Sequence, residues 1–320
     1  MLIEIVIFVA GLVVLSWGAD RFVFGASALA KNIGISPMVI GMTIVAMGSS
    51  APEIMVSATA SLAGTPDTAI GNAIGSNITN ITLVLALTAL MKPIVVGSAT
   101  VKRELPVLLI ISIIAALFLA DSFFQEWEGA VLMLLFFVTI GGVTWLSIKA
   151  DRKDPLAKET LEEIPDGVST TKAVFWVIVG LIALPVSADF MVDSAVVIAR
   201  HFGLSDLVIG LTIIAIGTSL PELAASIAGV LKGEDDLAMG NIIGSNIFNI
   251  LAVLSMPGII APGSIDPNAI SRDMPVMLGA TVLLVVFSLN IGGMRNINRW
   301  QGGLLLACFI GYQVMLFQSL

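Results

Sequence analysis

One stretch of this chain occurs twice, and each copy puts a carboxylate into sequence apolar enough for a bilayer. The first copy is GMTIVAMGSSAPEIMVS, Gly41 to Ser57. The second, GLTIIAIGTSLPELAAS, Gly210 to Ser226, lies 169 residues further on and matches it at 9 of 17 positions. The carboxylates are Glu53 and Glu222. A charged side chain near mid-membrane costs at least ~3 kcal/mol, so an acid kept there twice in one frame points to function rather than packing.

The surrounding sequence has the composition of a membrane protein. Only 12% of its 320 residues are charged and the mean hydropathy is +1.03, whereas soluble domains carry about 25% charged residues. A span needs about 20 apolar residues, and ten such stretches can be read: 2–30, 37–61, 70–91, 104–120, 127–148, 172–199, 206–231, 239–259, 273–291 and 300–318. The opening MLIEIVIFVAGLVVLSWG has no basic lead and carries Glu4, so it reads as a first membrane helix and not a cleaved signal.

The duplication runs well beyond the opening motif. GNAIGSNITNITLVL at 71–85 and GNIIGSNIFNILAVL at 240–254 share 11 of 15 residues at the same offset of 169. Asp20 matches Asp189, VKRELPVLL at 101–109 matches ISRDMPVML at 270–278, and WEG at 127–129 matches WQG at 300–302 after a small shift of register. Each unit holds five spans. An odd number forces the second copy to enter the membrane upside down, which is the architecture of many secondary transporters. The expected fold is therefore an all-α membrane protein: ten transmembrane helices as two inverted five-helix repeats, 1–148 and 172–320, with discontinuous helices 2 and 7. The polar segment 149–171 is expected to be a cytoplasmic linker. Twelve of the 15 bases fall in alternate connections, among them Lys31, Lys92, Lys102, Arg103, Lys232 and Arg299. By the positive-inside rule both termini lie outside, in a multi-pass protein of a prokaryotic cell (inner) membrane.

Proline inside a helix removes a hydrogen bond and clashes with the carbonyl four residues back. Pro52 and Pro221 thereby free the carbonyls of Gly48 and Gly217 and are expected to loosen those of Ala46 and Ala215. The hydroxyls of Ser49, Ser50, Thr218 and Ser219 add further oxygens. Broken backbone at membrane depth is tolerated only where protein or a water-filled cavity satisfies it. The second stretch adds polar residues at a spacing of four, Asn72, Ser76 and Asn80, repeated as Asn241, Ser245 and Asn249, so each set shares a helix face. These stripes are expected to face the carboxylates across the repeat interface. Oxygen-only ligands suit hard cations such as Ca2+. One cysteine and one histidine rule out a thiolate cluster or a multi-histidine centre. Two carboxylates neutralise one Ca2+ or two Na+, which makes mutually exclusive occupancy natural. Asp20 and Asp189 read as structural anchors of helix ends, with the lining of an access path as the alternative.

The pair of motifs G-[ST]-S-x-P-E and GN-x-IGSN-I-x-N, once per half, resembles the alpha repeats of the sodium/calcium exchanger family, within the cation/calcium exchanger superfamily. The resemblance covers nearly the whole chain and is nearest to the compact prokaryotic calcium/sodium antiporters. It implies that the second and third helices of each half form a central ion site. Glu53 and Glu222 would serve both ions. Ser49, Ser50, Thr218 and Ser219 would give hydroxyl or carbonyl oxygens, and Ala46 and Ala215 carbonyls. Ser76 and Ser245 would complete flanking sodium sites, with Asn80 and Asn249 beside the centre. Some relatives carry Asp where this chain has Asn249, and in the potassium-dependent branch that acid goes with potassium coupling, so Asn249 argues against potassium transport.

The expectation is thus a secondary-active antiporter, not an enzyme, that exchanges Ca2+ for Na+. It needs the lipid bilayer but no prosthetic group, nucleic acid or protein partner. A Ca2+/H+ exchanger of the same superfamily is the alternative, since carboxylates also take protons. The proton-coupled branch, however, carries an acid in its GNA-x-E motif where this chain has Gly75 and Ser76. A cation channel and an intramembrane hydrolase are the remaining rivals.

Overall fold

The structure is a computed structural model that describes residues 2–151, 167–203, 215–289 and 296–318. The helices in chain order are α1 (Leu2–Ile33), α2 (Pro37–Ser49), α3 (Ala51–Leu62), α4 (Pro66–Met91), α5 (100–119), α6 (Glu126–Asp151), α7 (Thr170–His201), α8 (Leu220–Leu231), α9 (Asp235–Ile260), α10 (Ala269–Ser288) and α11 (Arg299–Gln318). Among the described residues seven of these are long and apolar enough to cross a membrane. The pair α2 and α3, bent by 45° at Ser50, makes an eighth. The ten expected spans differ from these eight at two places. α5 opens on the charges Lys102, Arg103 and Glu104, and α8 is 12 residues long, with residues 206–214 of its expected span outside the described residues. Most of the linker 149–171 also lies outside them.

Two short ribbons were not anticipated. β1 (Ile94–Val95) pairs antiparallel with β4 (Asn296–Ile297), and β2 (Phe123–Phe124) with β3 (Gly263–Ser264). Each ribbon joins a strand of the first half to a strand of the second. Around β1 and β4, Lys92 Nζ donates to Val230 O at 2.7 Å and Arg299 Nη2 to Met91 O at 3.2 Å. Around the other ribbon, Asp266 N donates to Asp67 Oδ1 at 2.8 Å. The first end of the bundle carries Lys92 and Arg299 together with Asp235, which accepts from Val95 N at 2.9 Å, and the second carries Asp67 and Asp266.

α1 and α7 pack antiparallel along most of their length. Gly11, Gly18 and Gly25 repeat at every seventh position on the contact face of α1, and Gly180 of α7 makes room for the Phe22 side chain between them. Small residues let membrane helices approach closely without a hydrophobic driving force. The larger core lies on the other side, around Ile70, Ile74, Ile78, Leu105 and Leu108, all fully buried.

Several helices also contain wider, π-type turns, at 41–45, 80–85, 100–104, 249–253 and 269–273. Those at 100–104 and 269–273 sit just ahead of Pro106 and Pro275, where a missing N–H and the proline ring disfavour the ordinary turn. Those at 80–85 and 249–253 begin on Asn80 and Asn249, and π-turns recur at functional sites.

Candidate functional site

The site is built where α2 gives way to α3 and where the chain enters α8. Ser50 has φ −88° and ψ 2°, and Ser219 has φ −94° and ψ 5°, so both halves break the helix with the same local conformation. Pro52 and Pro221 then stand at the first or second position of the following helix, where a missing N–H is harmless. Glu53 and Glu222 occupy the first turn of α3 and α8, where the helix dipole favours an anion. Each is 1% exposed.

The hydroxyls of the first half reach the acid of the second. Ser50 Oγ donates to Glu222 Oε1 at 3.5 Å, and Ser245 Oγ meets the same oxygen at 3.5 Å. Ser49 Oγ lies 3.3 Å from Ser245 Oγ and donates to Asn241 Oδ1 at 3.3 Å. Glu53 and Glu222 lie within electrostatic reach of one another. The structure therefore brings Ser49, Ser50, Glu53, Glu222 and Ser245 into one buried cluster drawn from both halves. Among the described residues no group of three or more His, Cys, Asp or Glu forms, and the side-chain partners of Glu222 Oε1 are the hydroxyls of Ser50 and Ser245.

Several buried polar atoms at the positions expected from sequence have no hydrogen-bond partner among the described residues: Glu53 Oε2 and Glu222 Oε2 of the cluster, and Ser219 Oγ, Asn80 Oδ1, and both Oδ1 and Nδ2 of Asn249 outside it. Leaving such an atom buried and unbonded costs about 1–3 kcal/mol, more when it is charged. Buried carboxylate oxygens left unpaired, as Glu53 Oε2 and Glu222 Oε2 are, suit a cation. Ser76 is buried on α4, Thr218 is half-buried at the second break, and Ala215 opens the short helical turn Ala215–Gly217.

Two expectations need correction. The Ala46 carbonyl is not loosened: it accepts from Ser50 N at 2.9 Å and from Ser49 Oγ at 3.4 Å. The break starts at Ser50, one residue too late to cost that carbonyl its donor. The polar stripes also do not simply face the acid of the opposite half. Ser245 bonds Glu222 of its own half, and the contacts between halves run through Ser49, which meets Ser245 and Asn241, and Ser50, which meets Glu222. The reason is that α2 packs on α9 through glycine. A Cβ on Gly244 would stand 2.6 Å from Met42 Cα and 2.7 Å from Ala46 Cβ, so only glycine lets these backbones approach so closely.

Sequence reasoning assigned no role to Ser57 or Ser226. Ser57 Oγ donates to Val253 O at 2.8 Å, at the end of a π-turn, and Ser226 Oγ accepts from Asn241 Nδ2 at 3.1 Å. Both close the repeated stretch, so the duplication itself carried their signal.

The family profile described as sodium/calcium exchanger protein matches residues 3–145 and 172–318. The chain is 56% identical over 319 residues to the putative antiporter CaxA of Alkalimonas amylolytica, covering 100% of each. It is 44% identical over 319 residues to the inner membrane protein YrbG of Escherichia coli, covering 99% of this chain and 98% of the other. A solved structure of the sodium-calcium exchanger NCX_Mj superposes with a TM-score of 0.82 at 34% identity, over 97% of both chains.

Proposed function

The chain belongs to the sodium/calcium exchanger family, and from that premise we propose that it is a secondary-active antiporter that exchanges Ca2+ for Na+ across the cell membrane by alternating access. The observation that carries this reading is the buried Glu222 carboxylate, met at 3.5 Å by Ser50 of the opposite half, with its second oxygen unbonded among the described residues.

The ligands we assign are Glu53 and Glu222, shared by both ions, with oxygens of Ser49, Ser50, Thr218, Ser219, Ala46 and Ala215 around them. Ser76 and Ser245 serve flanking sodium ions, and Asn80 and Asn249 border the centre. Calcium takes 6–8 oxygens in a flexible shell, which this neutral-rich set can supply. One Ca2+ or two Na+ balance the two carboxylates, so the ions compete for one cage. A third Na+ would have neutral ligands only. An empty cage leaves two unpaired charges in a dry interior, where charge is costly. That cost disfavours switching without cargo and so couples the two fluxes.

We read the architecture as ten helices in two inverted five-helix repeats. The packing supports this. α4 ends beside β1, α5 then carries the chain across to β2, and α6 starts against the last turns of α9. α4 and α9, equivalent in sequence, thereby end on opposite faces. Trp127 and Trp300, equivalent residues at the starts of α6 and α11, are both exposed, as aromatic side chains at the two membrane interfaces would be. The face with Lys92, Lys232 and Arg299 is assigned to the cytoplasm, which puts both termini outside. α1 and α7, joined along their length by small residues, form the unit that slides against the rest.

The test is radioactive calcium counterflow in liposomes containing the purified protein, with sodium, potassium and proton gradients imposed one at a time. Uptake driven by outward sodium at clamped pH is expected. Uptake driven only by a proton gradient would make the protein a Ca2+/H+ exchanger, and flux without any counter-ion would make it a channel.

A further inference from the structure

Asn72 and Asn241 stand at equivalent positions and belong to none of the ligand sets above. Asn241 is 1% exposed and fully engaged. Its Nδ2 donates to Glu222 O at 3.3 Å and to Ser226 Oγ at 3.1 Å, while its Oδ1 accepts from Ser49 Oγ at 3.3 Å. Asn72 repeats the first of these bonds: its Nδ2 donates to Glu53 O at 3.3 Å. The same amide thus grips the backbone of the ion-binding glutamate in each half.

The bond from Ser49 has a chemical consequence. A hydroxyl that gives its proton to an acceptor behind it turns its lone pairs the other way, and a cation binds lone pairs. Asn241 Oδ1 is such an acceptor, and it sits on α9, across the interface from the hydroxyl it orients. The same side chain fixes the backbone of Glu222, so one rigid amide sets the distance between an oxygen of the first half and the carboxylate of the second. Satisfied buried polar networks of this kind fix a single geometry.

We propose that Asn241, with Asn72 as its counterpart, is a positioning residue of the ion cage. It orients Ser49 for cation binding and holds Glu222 in register with it, without itself touching the ion. The inference rests on the reading of the cluster as the ion site. An aliphatic side chain at 241 would remove that acceptor and leave the one Ser49 proton to Ala46 O at 3.4 Å or Ser245 Oγ at 3.3 Å, so the hydroxyl would no longer be held from across the interface.

The experiment measures sodium-driven calcium uptake in proteoliposomes for Asn241→Ala, Ser49→Ala, the double variant, and Asn72→Ala. Asn241→Ala is expected to raise the KM for Na+ about five- to tenfold, the scale of one or two lost hydrogen bonds, with maximal rate within about twofold of wild type. A general packing defect would lower the maximal rate through loss of active protein and leave KM where it was. The double variant should raise KM by clearly less than the product of the two single effects, because part of what Asn241 does runs through Ser49. Asn72 is only half-buried, so Asn72→Ala tests the counterpart with less risk to folding, and a smaller rise in KM is expected there. An unchanged KM in Asn241→Ala, or full additivity with Ser49→Ala, would overturn the proposal. Absence of sodium-driven uptake in the wild-type protein would instead overturn the antiporter reading, so the two failures are distinct.

Discussion

Lys232 Nζ stands 2.7 Å from Asp20 Oδ1 and ties the end of α8 to the middle of α1. Arg21 sits 3.6 Å from the other oxygen of the same carboxylate and lies over the ring of Trp176 on α7, 5.4 Å from its centroid. The sequence expectation that Asp20 anchors a helix end is thus modified: it lies inside α1 and joins that helix to the one carrying Glu222. The duplicated frame does not repeat the pair. Leu231-Lys232-Gly233 aligns with Leu62-Ala63-Gly64, so Asp189 meets no lysine at the equivalent turn. Beneath the pair runs a cavity of about 420 Å3 between α1 and α8, lined by Leu12, Leu15, Leu223 and Ile227.

Removing this ion pair should ease the separation of α1 from α8 at the end of the bundle that carries Lys92 and Arg299. Both side chains are partly exposed, 33% for Lys232 and 47% for Asp20, and exposed pairs contribute about 0.2–1 kcal/mol. A cysteine placed at Ile227 in a Cys308→Ser background should therefore react about two- to fivefold faster with an impermeant thiol reagent when Lys232 is alanine. Reversing both charges, Asp20→Lys with Lys232→Asp, should restore the slower rate. Equal labelling in all three backgrounds would show that the pair does not hold the helices together.

Glu53→Gln and Glu222→Gln should each reduce sodium-driven calcium uptake by at least about a hundredfold, because leaving a buried charge without its compensating partner costs about 3–5 kcal/mol. Glutamine keeps the shape and the hydrogen-bonding capacity, so both variants should remain inserted and monodisperse on size-exclusion chromatography. Near-normal uptake in either one would remove that residue from the ion site.

The glycine face of α1 allows a ranking by contact. A Cβ on Gly25 would stand 2.8 Å from Ala173 O and 2.9 Å from Val177 N, both backbone atoms, whereas one on Gly18 would meet the Ala183 methyl at 3.1 Å. Overpacking against backbone costs about 1–3 kcal/mol. Gly25→Ala should consequently lower the temperature at which the protein loses its monodisperse peak by more than Gly18→Ala does. The opposite order would mean that α1 and α7 are not in intimate contact near Ala173.

Much of the site was readable in advance because its parts are strong local signals repeated at one offset. Proline beside a carboxylate in apolar sequence dictates a broken helix, and the break is found at Ser50 and Ser219 as expected. What escaped the sequence has a common cause. The π-turns at Asn80 and Asn249 leave the hydrophobic pattern of the helix almost untouched. The ribbons pair residues about 140 to 200 positions apart, and segments of two residues carry no periodicity. The seven-residue spacing of Gly11, Gly18 and Gly25 was visible but ambiguous, since glycine is common in membrane helices for several reasons. The partner of Ser49 could not be read at all, because Asn241 reaches it only through the tertiary contact of α2 with α9.

Asn249 offers a test of how the cage balances charge. It is fully buried, it begins the π-turn of α9, and neither atom of its amide has a partner among the described residues. Aspartate has the same shape, so Asn249→Asp changes the charge and little else. With three carboxylates, one Ca2+ or two Na+ leave a net charge of −1 in a dry interior, where an uncompensated ion costs several kcal/mol. The variant should then need a further monovalent cation or a proton with each loaded cage. At neutral and higher pH its sodium-driven calcium uptake should fall below wild type. As the pH drops, protonation of the new carboxylate restores the neutral group present in the wild type, and the rate relative to wild type should recover. The measurement is the ratio of initial uptake rates, variant to wild type, across pH 6 to about 9, with and without potassium. A ratio independent of both pH and potassium would place residue 249 outside the field of the transported ions.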